Sequence, residues 1–167
     1  MKKYAFLTLI GLFISAFALL PLGSMAQEKD STKTTDVSAL VNSRHYIFKA
    51  QTATPLSGRL RQLTSEYDLQ VSTDKIVAYL PYFGRAYTAP MDPSKGGIQF
   101  TSKDFDYAAT EKKKGSWSVS IKTKDLQDEQ QLQLNIFSNG TASLQVNSNN
   151  RQGISFNGYI TAPDQKP

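Results

Sequence analysis

The densest concentration of chemistry-bearing side chains is Tyr79-Leu80-Pro81-Tyr82-Phe83-Gly84-Arg85-Ala86-Tyr87, with Tyr79, Tyr82, Phe83, Tyr87 and a guanidinium around a Pro–Gly turn. Proline stops a strand except at an edge or an end, and glycine lets the backbone turn where other residues resist. Rings beside a guanidinium can stack on a sugar, a peptide or an anion. The competing reading makes Tyr79, Phe83 and Tyr87 a plug for one end of a barrel, with Arg85 paired to a carboxylate. The two agree if the rings line the mouth of a pocket. A second cluster, Asn147-Ser148-Asn149-Asn150-Arg151-Gln152, is a polar turn whose Asn149, Asn150 and Arg151 can hold a polar ligand, or it is an ordinary loop. The candidate binding set is therefore Tyr79, Tyr82, Phe83, Arg85, Tyr87, Asn149, Asn150 and Arg151.

Candidates for bond-breaking chemistry are sparser. Asp104 and Asp106 flank Phe105 and would share one face of a strand. Paired carboxylates serve hydrolysis or a hard cation; they equally form the wet side of a sheet. Asp92 lies in the Pro- and Gly-rich stretch Thr88 to Gly97, which reads as a long ordered loop, a lid or a surface excursion. His45 is the only histidine and has no partner adjacent in sequence. Cysteine is absent, which excludes disulfides, thiol nucleophiles and cysteine metal sites. No Gly-x-Ser-x-Gly elbow occurs. No residue is assigned as catalytic, and no metal or cofactor is implied. Glu111-Lys112-Lys113-Lys114-Gly115 reads as a solvated hairpin end that could touch anionic lipid or glycan headgroups.

The elements that must position these residues follow a period of two. Tyr46, Phe48 and Ala50 alternate with Ile47, Lys49 and Gln51, and Tyr67, Leu69 and Val71 with Asp68 and Gln70. Ile76 to Leu80, Trp117 to Lys122, Gln131 to Ile136, Leu144 to Val146 and Ile154 to Ile160 repeat the rhythm. Asn139-Gly140 suits the two positive-φ positions of a tight hairpin turn. Asp36 can cap a short helix whose Val37, Leu40 and Val41 form one apolar face. The expected fold is all-β: an antiparallel meander of about eight strands, closed as a barrel or folded as a two-layer sandwich, after one short N-terminal helix.

Residues 1–26 have the three parts of an export signal: Lys2 and Lys3, an apolar run from Ala5 to Leu22, and the small residues of Ser24-Met25-Ala26. The alternative is a retained membrane anchor, against which Pro21 and Gly23 interrupt the run. Cleavage before Gln27 would lower the formal charge from +5 to +3 by removing two lysines. So small a charge, on an exported chain, argues against nucleic acid as a partner. It leaves a single β domain over 37–162, a disordered linker over 27–36 and a tail over 163–167. Within the linker, Asp30-Ser31-Thr32 resembles a short O-glycosylation signal of exported Bacteroidetes-type proteins. The expected location is periplasmic or extracellular, without stable membrane insertion.

Several blocks occur together: Val77 through Tyr87, Gly97-Ile98-Gln99-Phe100, Lys113-Lys114-Gly115-Ser116-Trp117, Ile136 through Gly140 and Ser148 through Phe156. In this combination the chain resembles a family of small exported Bacteroidetes proteins known as domain of unknown function 4251, from about Val37 to Ala162. The resemblance implies a cell-envelope setting and transfers no catalytic residue or ligand. The functional expectation is a non-catalytic domain binding a small molecule, glycan, peptide or envelope protein. Its rivals are a periplasmic hydrolase using Asp104, Asp106, Asp92 or His45, and an inhibitor or assembly module that acts by strand addition.

Overall fold

Alternation of apolar and polar side chains decides the architecture, because in a strand it places every second residue on one face. A computed structural model describes residues 36–87 and 96–163. The expected signal segment and linker up to residue 35, the 88–95 part of the expected loop with Asp92, and 164–167 of the tail lie outside the described residues. Helix α1 (Val37–Ser43) is followed by β1 (Tyr46–Pro55), β2 (Arg61–Val71), β3 (Ile76–Leu80), β4 (Ile98–Ser102), β5 (Phe105–Glu111), β6 (Trp117–Thr123), β7 (Gln130–Ile136), β8 (Thr141–Ser148) and β9 (Ile154–Thr161). Asp36 caps the helix as its sequence position suggests, its Oδ1 accepting from the Ala39 amide at 3.2 Å.

The strands form one antiparallel sheet in the order β4-β3-β2-β1-β9-β8-β7-β6-β5. Pairing of β1 with β9 joins the two halves of the meander and nearly closes a barrel. Each antiparallel ladder reverses direction, so the eight ladders leave β4 and β5 pointing the same way. Only Lys103 and Asp104 separate them. They are thus two halves of one bent strand, the first half paired to β3 and the second to β6. Nine segments build a wall eight strands wide, which reconciles the expected count of about eight with the one observed.

The bend is held from across the seam. Asp125 accepts hydrogen bonds from the Ser102 hydroxyl at 2.5 Å and from the Lys103 amide at 2.8 Å. The Ser102 hydrogen bond, with help from the Lys103 and Asp104 amides, holds the Asp125 carboxyl below the usual range.

Side chains fill the interior. Tyr46, Phe48, Leu69, Leu134, Leu144 and Phe156 have no solvent exposure, and Val37 and Val41 of α1 join the same cluster. Each such aliphatic or aromatic side chain contributes about 1.5–3 kcal/mol on burial. A bulge at Gln51 shifts the phase of β1, so that Ala53 and Pro55 continue the inward face begun by Tyr46, Phe48 and Ala50. The β7–β8 hairpin departs from expectation. Only Gly140 has positive φ, at 84°. Asn139 instead accepts from the Thr141 amide at 3.1 Å, giving a three-residue loop rather than a two-residue turn.

Candidate functional site

The ladder directions place the described parts of four connections at one end of the barrel: 56–60, 81–87 with 96–97, 124–129 and 149–153. Both sequence clusters therefore arrive at the same place. Ala86 forms an isolated antiparallel bridge with Arg151. The Tyr87 amide donates to the Asn150 carbonyl at 2.8 Å, and the Gln152 amide donates to that of Arg85 at 3.0 Å. The aromatic turn and the Asn-rich loop are in effect a short extra ribbon above the wall.

Tyr82 fastens this ribbon from beneath. Its hydroxyl proton is shared between the Arg85 carbonyl at 2.7 Å and the Gln152 carbonyl at 3.0 Å. Burial pushes the phenol above its ordinary range, partly offset by the Arg151 charge. A β-carbon at Gly84 would lie 2.5 Å from the Tyr82 hydroxyl oxygen. Gly84 has no positive φ. Its role here is to admit the ring rather than to supply the unusual backbone expected from the sequence.

Arg151 is the keystone. Its Nη1 donates to the Gly97 carbonyl at 2.7 Å and to that of Gly96 at 3.3 Å. The same guanidinium lies 5.1 Å from the centre of the Tyr82 ring. A single side chain thus joins the aromatic turn, the start of β4 and the β8–β9 loop.

Beside it opens a cleft of about 240 Å³, bounded by Gly97, Ile98, Gln99 and Phe100 on one side and Leu126, Gln127, Asp128 and Gln130 on the other. Gln130 donates to the Asp128 carboxylate at 3.0 Å and to the Asp128 carbonyl at 2.9 Å. The other Asp128 carboxylate oxygen is buried with no hydrogen-bond partner among the described residues. Buried acceptors left unpaired cost free energy, so this oxygen is a local cost built into the cleft wall. Phe100 and Leu126 supply apolar surface to the same walls.

The remaining candidates fall around this centre. Tyr79, Phe83 and Tyr87 are 49%, 38% and 69% exposed, so they do not plug the barrel. Tyr79 points outward from β3 and stacks on Tyr67, with ring centroids 5.6 Å apart. Phe83 carries the Arg61 guanidinium 4.8 Å above its ring, which ties in the first residue of β2. Arg85 is exposed and makes no ion pair among the described residues, contrary to the plug reading. Asn150 contributes its carbonyl, while Asn149 is exposed beside Glu129 in a small surface hollow.

Of the residues named for hydrolysis, Asp92 lies outside the described residues, Asp104 and Asp106 sit beside Lys124, and His45 is remote from both. Asp106 is engaged by Lys124 in an exposed ion pair at 2.5 Å, which raises the lysine above its ordinary range. Asp104 contributes its carbonyl to the Lys124 amide, and His45 sits exposed between α1 and β1, at the opposite end of the barrel. Among the described residues no group of three His, Asp or Glu side chains is placed to hold a metal. The sequence reading missed the cleft wall at Leu126 to Gln130, the keying carboxylate Asp125 and the partner cation Arg61. The first two belong to a charged connection, Lys124-Asp125-Leu126-Gln127-Asp128-Glu129, that looks like any solvated turn.

Comparison with known proteins follows the same line. No curated protein matches the chain. A crystal structure of a DUF4251 family protein from Bacteroides eggerthii DSM 20697 is similar with a TM-score of 0.58 at 16% identity, covering 78% of this chain and 88% of that one. That likeness speaks for the shared fold. The family profile described as domain of unknown function, DUF4251, matches residues 28–160, and the chain accordingly belongs to the DUF4251 family.

Proposed function

We propose that this protein is an exported, non-catalytic cell-envelope domain that binds a ligand or partner at the four-loop end of its barrel. The observation that carries the reading is the convergence on Arg151. The aromatic turn, the start of β4 and the mixed polar and apolar cleft meet at that one side chain. Recognition would combine stacking on exposed Phe83 and Tyr87 with hydrogen bonds to Asp128, Gln99 and Gln127. An apolar patch with a few polar groups beside it suits a glycan, a peptide or an envelope protein. The leader-like residues 1–26 support export.

A second reading is strand addition. It is favoured by the outer edge of β4, since Ile98–Ser102 pairs with β3 on one side and makes no backbone hydrogen bond to the cleft wall among the described residues. Such an edge accepts an extended peptide unless something blocks it. Calorimetric titration with panels of glycans and extended peptides tests both, using wild type, Tyr82→Ala and Leu126→Arg. Binding lost in folded Leu126→Arg supports the cleft. Folded variants that bind as wild type does overturn it.

A further inference from the structure

At the barrel end opposite the four loops, β5 and β6 are joined by a tight turn. The Lys112 amide donates to the Ser116 carbonyl at 2.7 Å, and the Ser116 hydroxyl donates to the Lys113 carbonyl at 2.9 Å. Lys114 takes a left-handed backbone at φ 61° and Gly115 follows at φ 67°. These bonds fix the backbone from which Lys112, Lys113 and Lys114 project, all of them exposed. None of the three forms an ion pair among the described residues, where the lysine salt bridges are those of Lys122 and Lys124.

The neighbouring turn adds an apolar group. The β6–β7 ladder ends at Trp117↔Ile136, so Ser116 and Phe137 are the next residues outward. A β-carbon on Gly115 would stand 3.6 Å from that of Ser138, which places the two turns in contact. Phe137 is 52% exposed at this junction. Its amide donates to Thr141 and its carbonyl accepts from Gly140, both through the main chain.

We propose that this tip is an attachment surface for an anionic lipid bilayer. Unpaired ammonium groups on a fixed turn complement anionic headgroups, and an adjacent phenyl can enter the headgroup and acyl boundary. Glu111 is the acidic neighbour in sequence and leaves the tip net positive. Attachment at this end would leave the four-loop end facing away from the membrane. The inference stands independently of what the cleft binds.

The test is sedimentation of the full chain with vesicles of equal parts phosphatidylglycerol and phosphatidylcholine, against vesicles of phosphatidylcholine alone. Wild type is compared with a Lys112→Gln, Lys113→Gln, Lys114→Gln triple variant and with Phe137→Ser. The apolar N-terminal segment is common to all three, so the differences report the tip. The triple variant is expected to lose roughly a hundredfold in affinity for the anionic vesicles. Phe137→Ser should lose several-fold on the same vesicles, and added salt should erase the lysine effect. Equal binding by wild type and both variants overturns the proposal. So does a lysine-dependent interaction that ignores Phe137 and is matched in strength by soluble heparin, because the surface would then read polyanions rather than a bilayer.

Discussion

The two ends of this barrel share one wall and differ in how they close. At the end carrying α1, connections are short: 72–75, 112–116 and 137–140 each close with a backbone hydrogen bond between residues only a few positions apart. At the other end, segments distant in sequence satisfy one another, Arg85 with Gln152, Tyr87 with Asn150 and Leu56 with Gly153. Self-contained turns leave their side chains free to be charged, whereas mutually dependent loops create concavity. The difference lies in whether loops bond locally or to each other, and only the second kind makes a cleft.

That contrast can be broken experimentally, and the largest effect should come from the keystone. Arg151→Ala removes the hydrogen bonds to the Gly96 and Gly97 carbonyls and the contact over Tyr82. Bonds to charged groups contribute about 1.5–3 kcal/mol, so chemical denaturation should report a loss of about 2–3 kcal/mol. Gly84→Ala should follow at about 1–2 kcal/mol, because the new methyl displaces the phenol from both carbonyls. Tyr82→Phe keeps the ring and deletes the shared proton, for about 1 kcal/mol.

A pH profile sharpens the comparison at the seam. The carboxyl of Asp125 is held below its ordinary range by Ser102 and the neighbouring amides. Its contribution is therefore present above the unfolded carboxylate pKa and is lost as pH falls through the lower folded value. Thermal melts of Asp125→Asn should approach those of wild type under strongly acidic conditions and diverge from them near neutrality. Smallest of all, replacing Lys112, Lys113 and Lys114 by Gln should shift stability by no more than about 0.5 kcal/mol, since those side chains are exposed and form no ion pair among the described residues. A large loss there would show that the short-turn end depends on side chains after all.

Much of the wall is legible in the sequence because alternation is a local signal. Leu132, Leu134 and Ile136 face inward as their spacing demands, and Asp36 caps α1 through a contact three residues away. The bulge at Gln51 carries no residue signature, yet it reverses the phase of β1. The continuity of β4 with β5 follows from ladder parity, a property of the whole sheet that no short window contains. The site divides in the same way. Aromatic and amide clusters stand out by composition, but their union through Ala86 and Arg151 spans most of the domain. The far wall of the cleft is hidden by its own polarity: Asp128 looks solvated until Gln130 and β4 partly enclose it, while Gln127 beside it stays exposed.

The central proposal is that the ligand or partner is recognised at the mutually bonded loops and not in the filled interior. Backbone amide NMR of the isotopically labelled protein, titrated with any glycan or peptide that binds by calorimetry, addresses it directly. Perturbations should cluster at 82–87, 97–100, 126–130 and 149–152, and Arg151→Ala should erase them while the signals of β7 and β8 persist. Perturbations confined to the outer faces of β6 to β8, or unchanged in folded Arg151→Ala, would contradict the account.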